Sequence, residues 1–323
     1  MMLVSIGDQV EAGTYCFHSW FARAVNFERN GRLVSVVDED IGPGPLSIVL
    51  RGRKLRTGQA VAHPLEIGNH TVVFEGHRFS FERRHRYHSA LEWEAGGLKP
   101  INCRSIPKPS PRSSARQKGR RENLNRFQQN LPVFEELLKS TAPPGSLAFL
   151  LDKRRLVNFR AGFERAFARQ AMGGVRCIFH GSLLKGIGSL KGCGVGLTPS
   201  GDDFIAGLLI GLNLLQEMHG RDYQPIADAI FNAAQGNNIF SNTFLDLARQ
   251  GRLFGRMKDL ILSLRGGSRN AVEKSAKKLF AIGESSGADL GTGFWMTVQD
   301  GVGTAERWKE QSLTIPTPDS RFT

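Results

Sequence analysis

The stretch Gly194-Val-Gly-Leu-Thr-Pro-Ser-Gly-Asp-Asp-Phe-Ile-Ala-Gly207 joins a glycine-rich turn to the longest apolar run of the sequence, residues 204–215. This run would be apolar nearly all round a helix, which is typical of a helix that is buried on every side. Gly207 and Gly211 lie about one helical turn apart, so a neighbouring helix can approach closely there. We therefore predict a central buried helix at 203–218.

The sequence after residue 123 has a mainly helical pattern. Apolar residues recur three and four positions apart, as they do on the buried face of a helix. This spacing predicts further helices at 124–140, 156–172, 225–234, 243–250, 271–282 and 289–298. One strand is predicted at 175–179, directly before the glycine-rich segment.

The first 95 residues have a different pattern, in which short apolar segments are interrupted by glycine and proline. Closely spaced strands of this kind are typical of a small barrel or sandwich. Period-two alternation and β-branched residues predict strands at 33–37, 47–50, 71–74 and 79–81, and Gly42-Pro-Gly-Pro45 predicts a turn. The sequence thus predicts an α+β protein, with a β-rich N-terminal domain (1–95), a linker (96–122) and a mainly α-helical C-terminal domain (123–323).

The linker carries much of the positive charge of the chain. The sequence of 323 residues has a formal net charge of +13, and residues 99–121 contain eight basic residues and no acidic one. The same segment is rich in proline and serine, a composition that cannot bury apolar area and is typical of a solvated linker. Nucleic-acid binding is an alternative, but it is disfavoured because no aromatic residues are interleaved with the charges to stack on bases.

The sequence also indicates in which cellular compartment the protein is expected. The apolar run 204–215 is shorter than the roughly 20 residues of a membrane helix, and the N-terminal residues lack the pattern of a secretory signal. The four cysteines are scattered, without a C-x-x-C pair or a histidine at metal-ligand spacing. These features predict a cytoplasmic protein with reduced thiols and no membrane contact.

The glycine-rich turn has the chemistry of an anion-binding site. Its glycines permit positive φ angles and leave N–H groups uncovered, and the helix start that follows adds unpaired donors and partial positive charge. We predict that N–H groups of residues 198–203 bind a phosphate or carboxylate. The predicted binding residues of the turn are Gly194, Gly196, Thr198, Ser200 and Gly201. The turn is neither a Walker A loop nor a dinucleotide-binding fingerprint.

Helix capping is the alternative explanation for the same residues. Thr198 followed by Pro199, or Ser200 followed by Asp203, has the pattern of a helix start. Capping employs only one of the two adjacent carboxylates, because neighbouring helical residues point ~100° apart. If Asp203 closes the cap, Asp202 is free to bind substrate or a magnesium ion, although the sequence itself demands no cofactor.

A second segment repeats the pattern of the first. Ser200-Gly-Asp-Asp203 and Ser286-Gly-Ala-Asp289 share Ser-Gly-x-Asp, and a glycine follows four residues after each. Two such helix starts aimed at one cavity would supply N–H donors for a carboxylate or dianion, and carboxylates to hold a cation or orient an amide. Chance recurrence of capping chemistry is the alternative. The predicted catalytic residues are Asp202, Asp203 and Asp289, and the predicted binding residues of the second segment are Ser286 and Gly287.

The run 194–207 closely resembles the signature of the AllH-like family, a subunit of oxamate carbamoyltransferase. The stretches 241–251 and 282–290 resemble the family as well, and the N-terminal part around Asn26 and Gly42-Pro-Gly-Pro45 does so more loosely. The resemblance implies a role in the breakdown of purine-derived ureides, where the assembled enzyme converts oxalurate and phosphate to oxamate and carbamoyl phosphate. It also implies partner subunits and a small anionic substrate.

A polar stretch between the two repeats carries Asn238 and Ser241, which are predicted substrate-binding residues. Amides and hydroxyls supply the donors and acceptors that a carbamoyl or oxamate group needs in one place. Turn and capping chemistry is the alternative for these residues, and it is the favoured one. Lys185 and Lys191 flank the glycines and are predicted to be solvated, with added charge for an anion site as the alternative.

The sequence thus predicts a subunit of an oxamate carbamoyltransferase-like enzyme, which binds an anionic carbamoyl, phosphate or carboxylate substrate at the glycine-rich helix start. A non-catalytic anion-binding or scaffold subunit is the main alternative, and a basic nucleic-acid-binding protein is the third. Thermal shifts with carbamoyl phosphate or oxamate, measured with and without partner subunits, distinguish the enzyme subunit from the non-catalytic subunit. Salt-dependent retention on DNA or RNA identifies the third.

Overall fold

The computed structural model describes residues 1–52, 63–91, 114–160 and 162–313. Its N-terminal part is a β-sheet and its C-terminal part is helical, so the predicted α+β class is confirmed. Most of the predicted basic linker, residues 96–113, lies outside the described residues. Within the described residues, no helix combines the length and the apolar character needed to cross a bilayer.

The N-terminal part forms one curled sheet, with strand order β8-β7-β6-β2-β3-β4-β5-β1-β9. Side chains that alternate inward, such as Val25 and Phe27 on β3 and Val34 and Val36 on β4, fill its core. All four strands predicted for this part of the sequence are found, within two residues at each end. The strands are β1 (Met2–Gly7), β2 (Gly13–Phe21), β3 (Ala24–Arg29), β4 (Arg32–Asp38), β5 (Ser47–Arg51), β6 (Leu65–Ile67), β7 (Thr71–Phe74), β8 (His77–Ser80) and β9 (Arg86–Tyr87).

The C-terminal part consists of helices joined by short turns. The helices are α1 (Ser114–Ser140), α2 (Gly162–His180), α3 (Leu183–Leu190), α4 (Ser200–His219), α5 (Gln224–Ala234), α6 (Ile239–Arg249), α7 (Gly255–Gly266), α8 (Arg269–Phe280) and α9 (Ser286–Leu313). The sequence pattern missed α3 and α7. Helix α1 begins within the segment assigned to the linker, where prolines cease and good helix formers such as arginine and glutamine follow.

The strand predicted at 175–179 is wrong, because these residues form the last turns of α2. Val175, Ile178 and Phe179 are the buried members of this stretch. Their spacing of three and four residues is the helical one, and the short window made it look like a continuous apolar strand.

Helix α4 is the centre of the helical core, as predicted. Its residues are buried on all sides from Ser200 to Leu212, and it packs along α9. Gly207 faces the backbone of Leu290 in α9, and Gly293 of α9 faces the backbone of Phe204 in α4. The two helices therefore cross with their main chains in contact, which places their first turns side by side.

The sheet and the helices meet at the start of α7. The predicted turn at Gly42-Pro-Gly-Pro45 contributes the Pro43 carbonyl, which accepts a hydrogen bond of 2.8 Å from the Gly255 amide. The Leu253 amide donates to the Ser89 carbonyl at 2.9 Å. These contacts bring one end of the sheet to the entrance of the cavity described below.

Candidate functional site

Helix α4 begins without the side-chain cap that the sequence suggested. Pro199 occupies the capping position with extended backbone angles, and no side chain caps the helix there. Its carbonyl accepts hydrogen bonds from the amides of Asp202 (2.9 Å) and Asp203 (3.1 Å). Neither Thr198 nor Ser200 is therefore the N-cap. The hydroxyls of both residues can instead donate hydrogen bonds to carboxyl groups.

The glycine-rich turn does adopt the backbone conformation that only glycine favours. Gly194 and Gly196 have φ angles of 114° and 113°. The N–H groups of residues 201–203 are consumed internally, since Gly201 donates to the Cys193 carbonyl at 2.8 Å and the next two donate to Pro199. The prediction that the N–H groups of residues 198–203 bind an anion is therefore wrong for residues 201–203. Within the described residues, the amides of 194–198 and Ser200 have no hydrogen-bond partner.

Asp202 has a different place from the one predicted. Its carboxylate accepts a hydrogen bond of 2.8 Å from the Gly192 amide, and its side chain is buried. Asp202 thus stabilises the turn that precedes Gly194 and Gly196, and it does not line the cavity. Within the described residues, no group of three or more histidine, cysteine, aspartate or glutamate side chains could hold a metal ion. Magnesium at Asp202 therefore has no support from the geometry.

Helix α9 begins in the same way as α4. The Gly287 amide donates to the Ile282 carbonyl (3.2 Å), as the Gly201 amide donates to Cys193. A Cβ on Gly287 would lie 1.9 Å from the Leu279 carbonyl oxygen, and one on Gly201 would lie 1.9 Å from the Leu190 carbonyl oxygen. The repeated Ser-Gly-x-Asp pattern thus encodes two equivalent helix starts, each of which needs glycine for a close backbone contact.

The two helix starts face each other through their serine and aspartate side chains. The Ser286 hydroxyl of α9 lies close enough to the Asp203 carboxyl of α4 to lower its pKa, and the Ser200 hydroxyl of α4 acts in the same way on the Asp289 carboxyl of α9. Ser200, Asp203, Ser286 and Gly287 all line one cavity. The Thr198 hydroxyl donates to Asp203 at 3.2 Å. The segments therefore converge in space, as the repeat predicted.

Asp289 lies behind Asp203 and is wholly enclosed. Its side chain is 0% exposed. One carboxyl oxygen accepts from the Leu147 amide at 2.5 Å and the other from the Ser285 hydroxyl at 2.8 Å. These fixed donors hold the carboxyl group in one orientation next to Asp203.

Burial dominates the proton affinity of both carboxyl groups. It raises the pKa of Asp203 well above its ordinary value, and the nearby charge of Asp289 raises it further, while the Ser286 and Thr198 hydroxyls lower it. Burial also raises the pKa of Asp289 to about 7, although the Leu147 amide and the Ser285 and Ser200 hydroxyls lower it. Two neighbouring buried carboxyls cannot both ionise without mutual repulsion. The pair therefore retains a proton at a pH where ordinary aspartates have lost theirs.

A cavity of about 910 Å³ opens beside the Asp203 carboxyl. Of the predicted site residues, those that line the cavity are Gly194, Gly196, Thr198, Ser200, Asp203, Ser286 and Gly287. Predicted residues that are absent from its described lining are Gly201, Asp202, Asn238, Ser241 and Asp289. The flanking Lys185 and Lys191 are absent from that lining too, and Arg256 is its basic residue.

The cavity mouth is apolar. Val195 and Phe163 line it with 72% and 62% of their surfaces exposed, and Ile41 and Leu197 are exposed beside them. The turn residues Gly42 and Pro43 bring the β-sheet part to the same wall. Sequence reasoning missed Ile41, Phe163 and the Leu147 amide, because segments distant in the sequence supply them and no local pattern marks them.

Asn238 supports the glycine-rich turn from outside the cavity. Its side-chain oxygen caps α6 by accepting from the Phe240 (2.9 Å) and Ser241 (3.3 Å) amides. Its side-chain nitrogen donates to the Leu197 carbonyl at 2.7 Å. The capping alternative is thus correct for Asn238, and its link to the site runs through the turn. Ser241 is buried, and its hydroxyl has no hydrogen-bond partner in the described part of the chain.

Two protein-family models match the sequence. The model described as the AllH family N-terminal domain matches residues 3–88, which cover the sheet. The model described as oxamate carbamoyltransferase subunit AllH matches residues 190–298, which contain both helix starts and the turn with Gly194. No solved structure matches the chain.

Proposed function

The chain belongs to the AllH family, whose second model is described as an oxamate carbamoyltransferase subunit, and from this premise we propose that its cavity is a substrate site for carbamoyl transfer. One observation carries the proposal. The Asp203 carboxyl is 2% exposed yet lines the cavity, and it lies where the two repeated helix starts meet. A buried ionisable group with a shifted pKa at the wall of a large pocket is a feature of functional sites.

The proposed reaction brings two anions together. A phosphate oxygen attacks the carbamoyl carbon of oxalurate, the bond from that carbon to the oxamate nitrogen breaks, and the phosphate proton ends on that nitrogen. The products are carbamoyl phosphate and oxamate, with no change in total charge. A cavity of about 910 Å³ is at the upper end for small-molecule sites, so both small substrates fit side by side.

The described donors suit the anionic groups of such substrates. The amides of 194–198 and Ser200 lack partners and border the cavity, and Arg256 adds a positive charge to its wall. Preorganised N–H groups of this kind stabilise negative charge on a substrate or transition state without reorganisation. We propose that these donors bind phosphate or carboxylate oxygens, while Asp203 contacts the carbamoyl part.

The three predicted carboxylates then have separate roles. Asp203 is the candidate catalytic residue, because it lines the cavity. Asp289 is a positioning residue, which acts through Asp203 from its enclosed place. Asp202 shapes the turn through the Gly192 amide. The partner subunits that the family description implies would complete the enzyme.

Titration calorimetry with oxamate and with carbamoyl phosphate tests the proposal. We expect saturable binding by the wild-type chain, and a Kd raised about 10-fold by Asp203→Asn, which corresponds to losing one hydrogen bond. Asp259→Asn is the matched control, because Asp259 is exposed on α7 and does not line the cavity. Equal affinities of the wild type and Asp203→Asn would contradict the proposal.

The turnover of the assembled enzyme distinguishes a catalytic role of Asp203 from the alternative of a non-catalytic subunit. A scaffold or anion-binding subunit also binds these ligands, but Asp203→Asn would then leave the turnover of the assembled enzyme at saturating substrate unchanged. A catalytic role requires a fall in kcat, since the interaction with Asp203 is then made in the transition state.

A further inference from the structure

We propose that Asn238 is a positioning residue, which fixes the peptide unit between Leu197 and Thr198 so that the Thr198 N–H points into the cavity. The inference rests on the proposed function, because it concerns the amides that bind the anionic part of the substrate. It adds which residue outside the cavity holds one of these donors in place, and how anion binding depends on it.

The glycine-rich turn has few contacts of its own. The Asn238 side-chain nitrogen donates to the Leu197 carbonyl at 2.7 Å. Within the described residues, this is the hydrogen bond that the main chain of 194–198 makes, and no second one is found. The apolar side chains of the turn do not hold it either, since Val195 is 72% exposed and Leu197 is 44% exposed. The conformation of the turn therefore depends on Asn238.

Asn238 itself is held from two sides. Its side-chain oxygen caps α6 through the amides of Phe240 and Ser241. The Phe240 ring packs edge-on against His18 and Phe21 of β2, with ring centroids 5.4 and 6.0 Å apart. A helix and the β-sheet thus fix the point from which the Asn238 nitrogen donates.

The direction of the Thr198 N–H follows from the geometry of the peptide unit. The unit is planar and trans, so the Leu197 C=O and the Thr198 N–H point in opposite directions. The C=O points to Asn238, which is absent from the described lining of the cavity, whereas Thr198 belongs to that lining. Within the described residues, the Thr198 N–H has no hydrogen-bond partner. Rotation of the unit by half a turn would place the carbonyl oxygen where an anion needs a donor.

Asparagine suits both tasks because its amide group has an acceptor for the helix cap and donors for the turn. Serine at this position would cap the helix about as well, but its hydroxyl ends one bond short of the place of the amide nitrogen. Aspartate would keep the cap and would present a second acceptor to the Leu197 carbonyl. Aspartate would therefore favour the rotated peptide unit. These two replacements separate positioning from capping.

Titration calorimetry with carbamoyl phosphate and with inorganic phosphate tests the proposal. We expect Asn238→Ser to raise both Kd values about tenfold, which corresponds to losing one hydrogen bond. Its melting temperature should change little, because the cap is retained. Asn238→Asp should raise both Kd values further. Ser268→Ala is the control, since it removes the cap that Ser268 provides for the Ala271 amide of α8, away from the described lining. It should lower the melting temperature and leave both Kd values unchanged.

The amide proton of Thr198 provides a spectroscopic readout that a purely structural role of Asn238 would not change. In the wild type and in Ser268→Ala, its NMR signal should move downfield as inorganic phosphate saturates the chain, because the N–H then donates to an anion. In Asn238→Ser at the same saturation, the downfield movement should be smaller.

The outcomes are distinguishable. If Asn238→Ser binds both ligands as tightly as the wild type, or if the Thr198 amide proton of the wild type does not move at saturating phosphate, the inference is overturned while the proposed function stands. If the wild type binds neither carbamoyl phosphate nor oxamate, alone or with the partner subunits, the proposed function itself is wrong. Should Asn238→Ser not fold, Asn238→Asp and the Thr198 signal of the wild type still decide the question.

Discussion

Gly207→Ala should destabilise the chain by about 3 kcal/mol or more, as expected for overpacking that no side-chain movement relieves. A Cβ at this position would lie 2.0 Å from the Leu290 carbonyl oxygen and 2.8 Å from the Phe294 nitrogen, both of them main-chain atoms of α9. The helices would have to move apart, and the separation of Asp203 and Asp289 would change with them. The midpoint of urea unfolding measures the loss, and oxamate affinity should fall in parallel.

Two further substitutions provide a comparison and a control for Gly207→Ala. Gly293→Ala should have a similar effect, because its Cβ would lie 2.1 Å from the Phe204 carbonyl oxygen on the opposite side of the same crossing. Gly188→Ala in α3 is the control, since no atom lies within 4 Å of its Cβ. Alanine there should stabilise the helix by up to about 1 kcal/mol. If Gly207→Ala behaves like Gly188→Ala, α4 and α9 do not cross in main-chain contact.

The stability of the wild type relative to Asp289→Asn should fall as pH rises from about 4 to about 7. Asp289 has a pKa of about 7 in the folded chain, whereas an aspartate in an unfolded chain has a pKa of about 3.9. Between these values the folded state holds a proton that the unfolded state has released, so the free energy of unfolding decreases with pH. The decrease is at most about 1.4 kcal/mol per pH unit, or about 4 kcal/mol in total. Urea unfolding of both proteins at pH 4.5, 6 and 7.5 measures it.

Asp152→Asn provides a control whose difference in stability from the wild type should be nearly constant between pH 4.5 and 7.5. Hydrogen bonds from Arg154 lower the pKa of Asp152, so its contribution to stability is present above the unfolded pKa and is lost as pH falls. Comparison with each variant cancels the titration of the groups that do not interact with the substituted residue. An unchanged difference between the wild type and Asp289→Asn at every pH would mean that Asp289 ionises normally, and its raised pKa would then be wrong.

The sequence predicted those parts of the fold that depend on local pattern. Period-two alternation found β4, β5, β7 and β8, and the apolar run at 204–215 identified α4 as the buried centre. Short apolar stretches were ambiguous, and 175–179 was taken for a strand because five residues cannot distinguish a strand from the end of a helix. The single curled sheet could not be chosen over a sandwich, since strand order depends on pairing between distant segments.

The sequence predicted the site partly as well. The Ser-Gly-x-Asp repeat indicated two helix starts of one design, because glycine and serine have specific backbone roles there, and those starts do meet. The choice of Asp202 over Asp203 as the free carboxylate was wrong, since it assumed a cap that Pro199 replaces. The Leu147 amide and the wall at Ile41 and Pro43 come from distant segments, which no local motif reveals.

A crystal structure of the chain soaked with oxamate tests the central claim most directly. We expect oxamate at the floor of the cavity, with its amide group within hydrogen-bonding distance of the Asp203 carboxyl and its carboxylate against the amides of the turn at 194–198. A cavity that stays without ligand at saturating oxamate, or oxamate bound away from Asp203, would contradict the account.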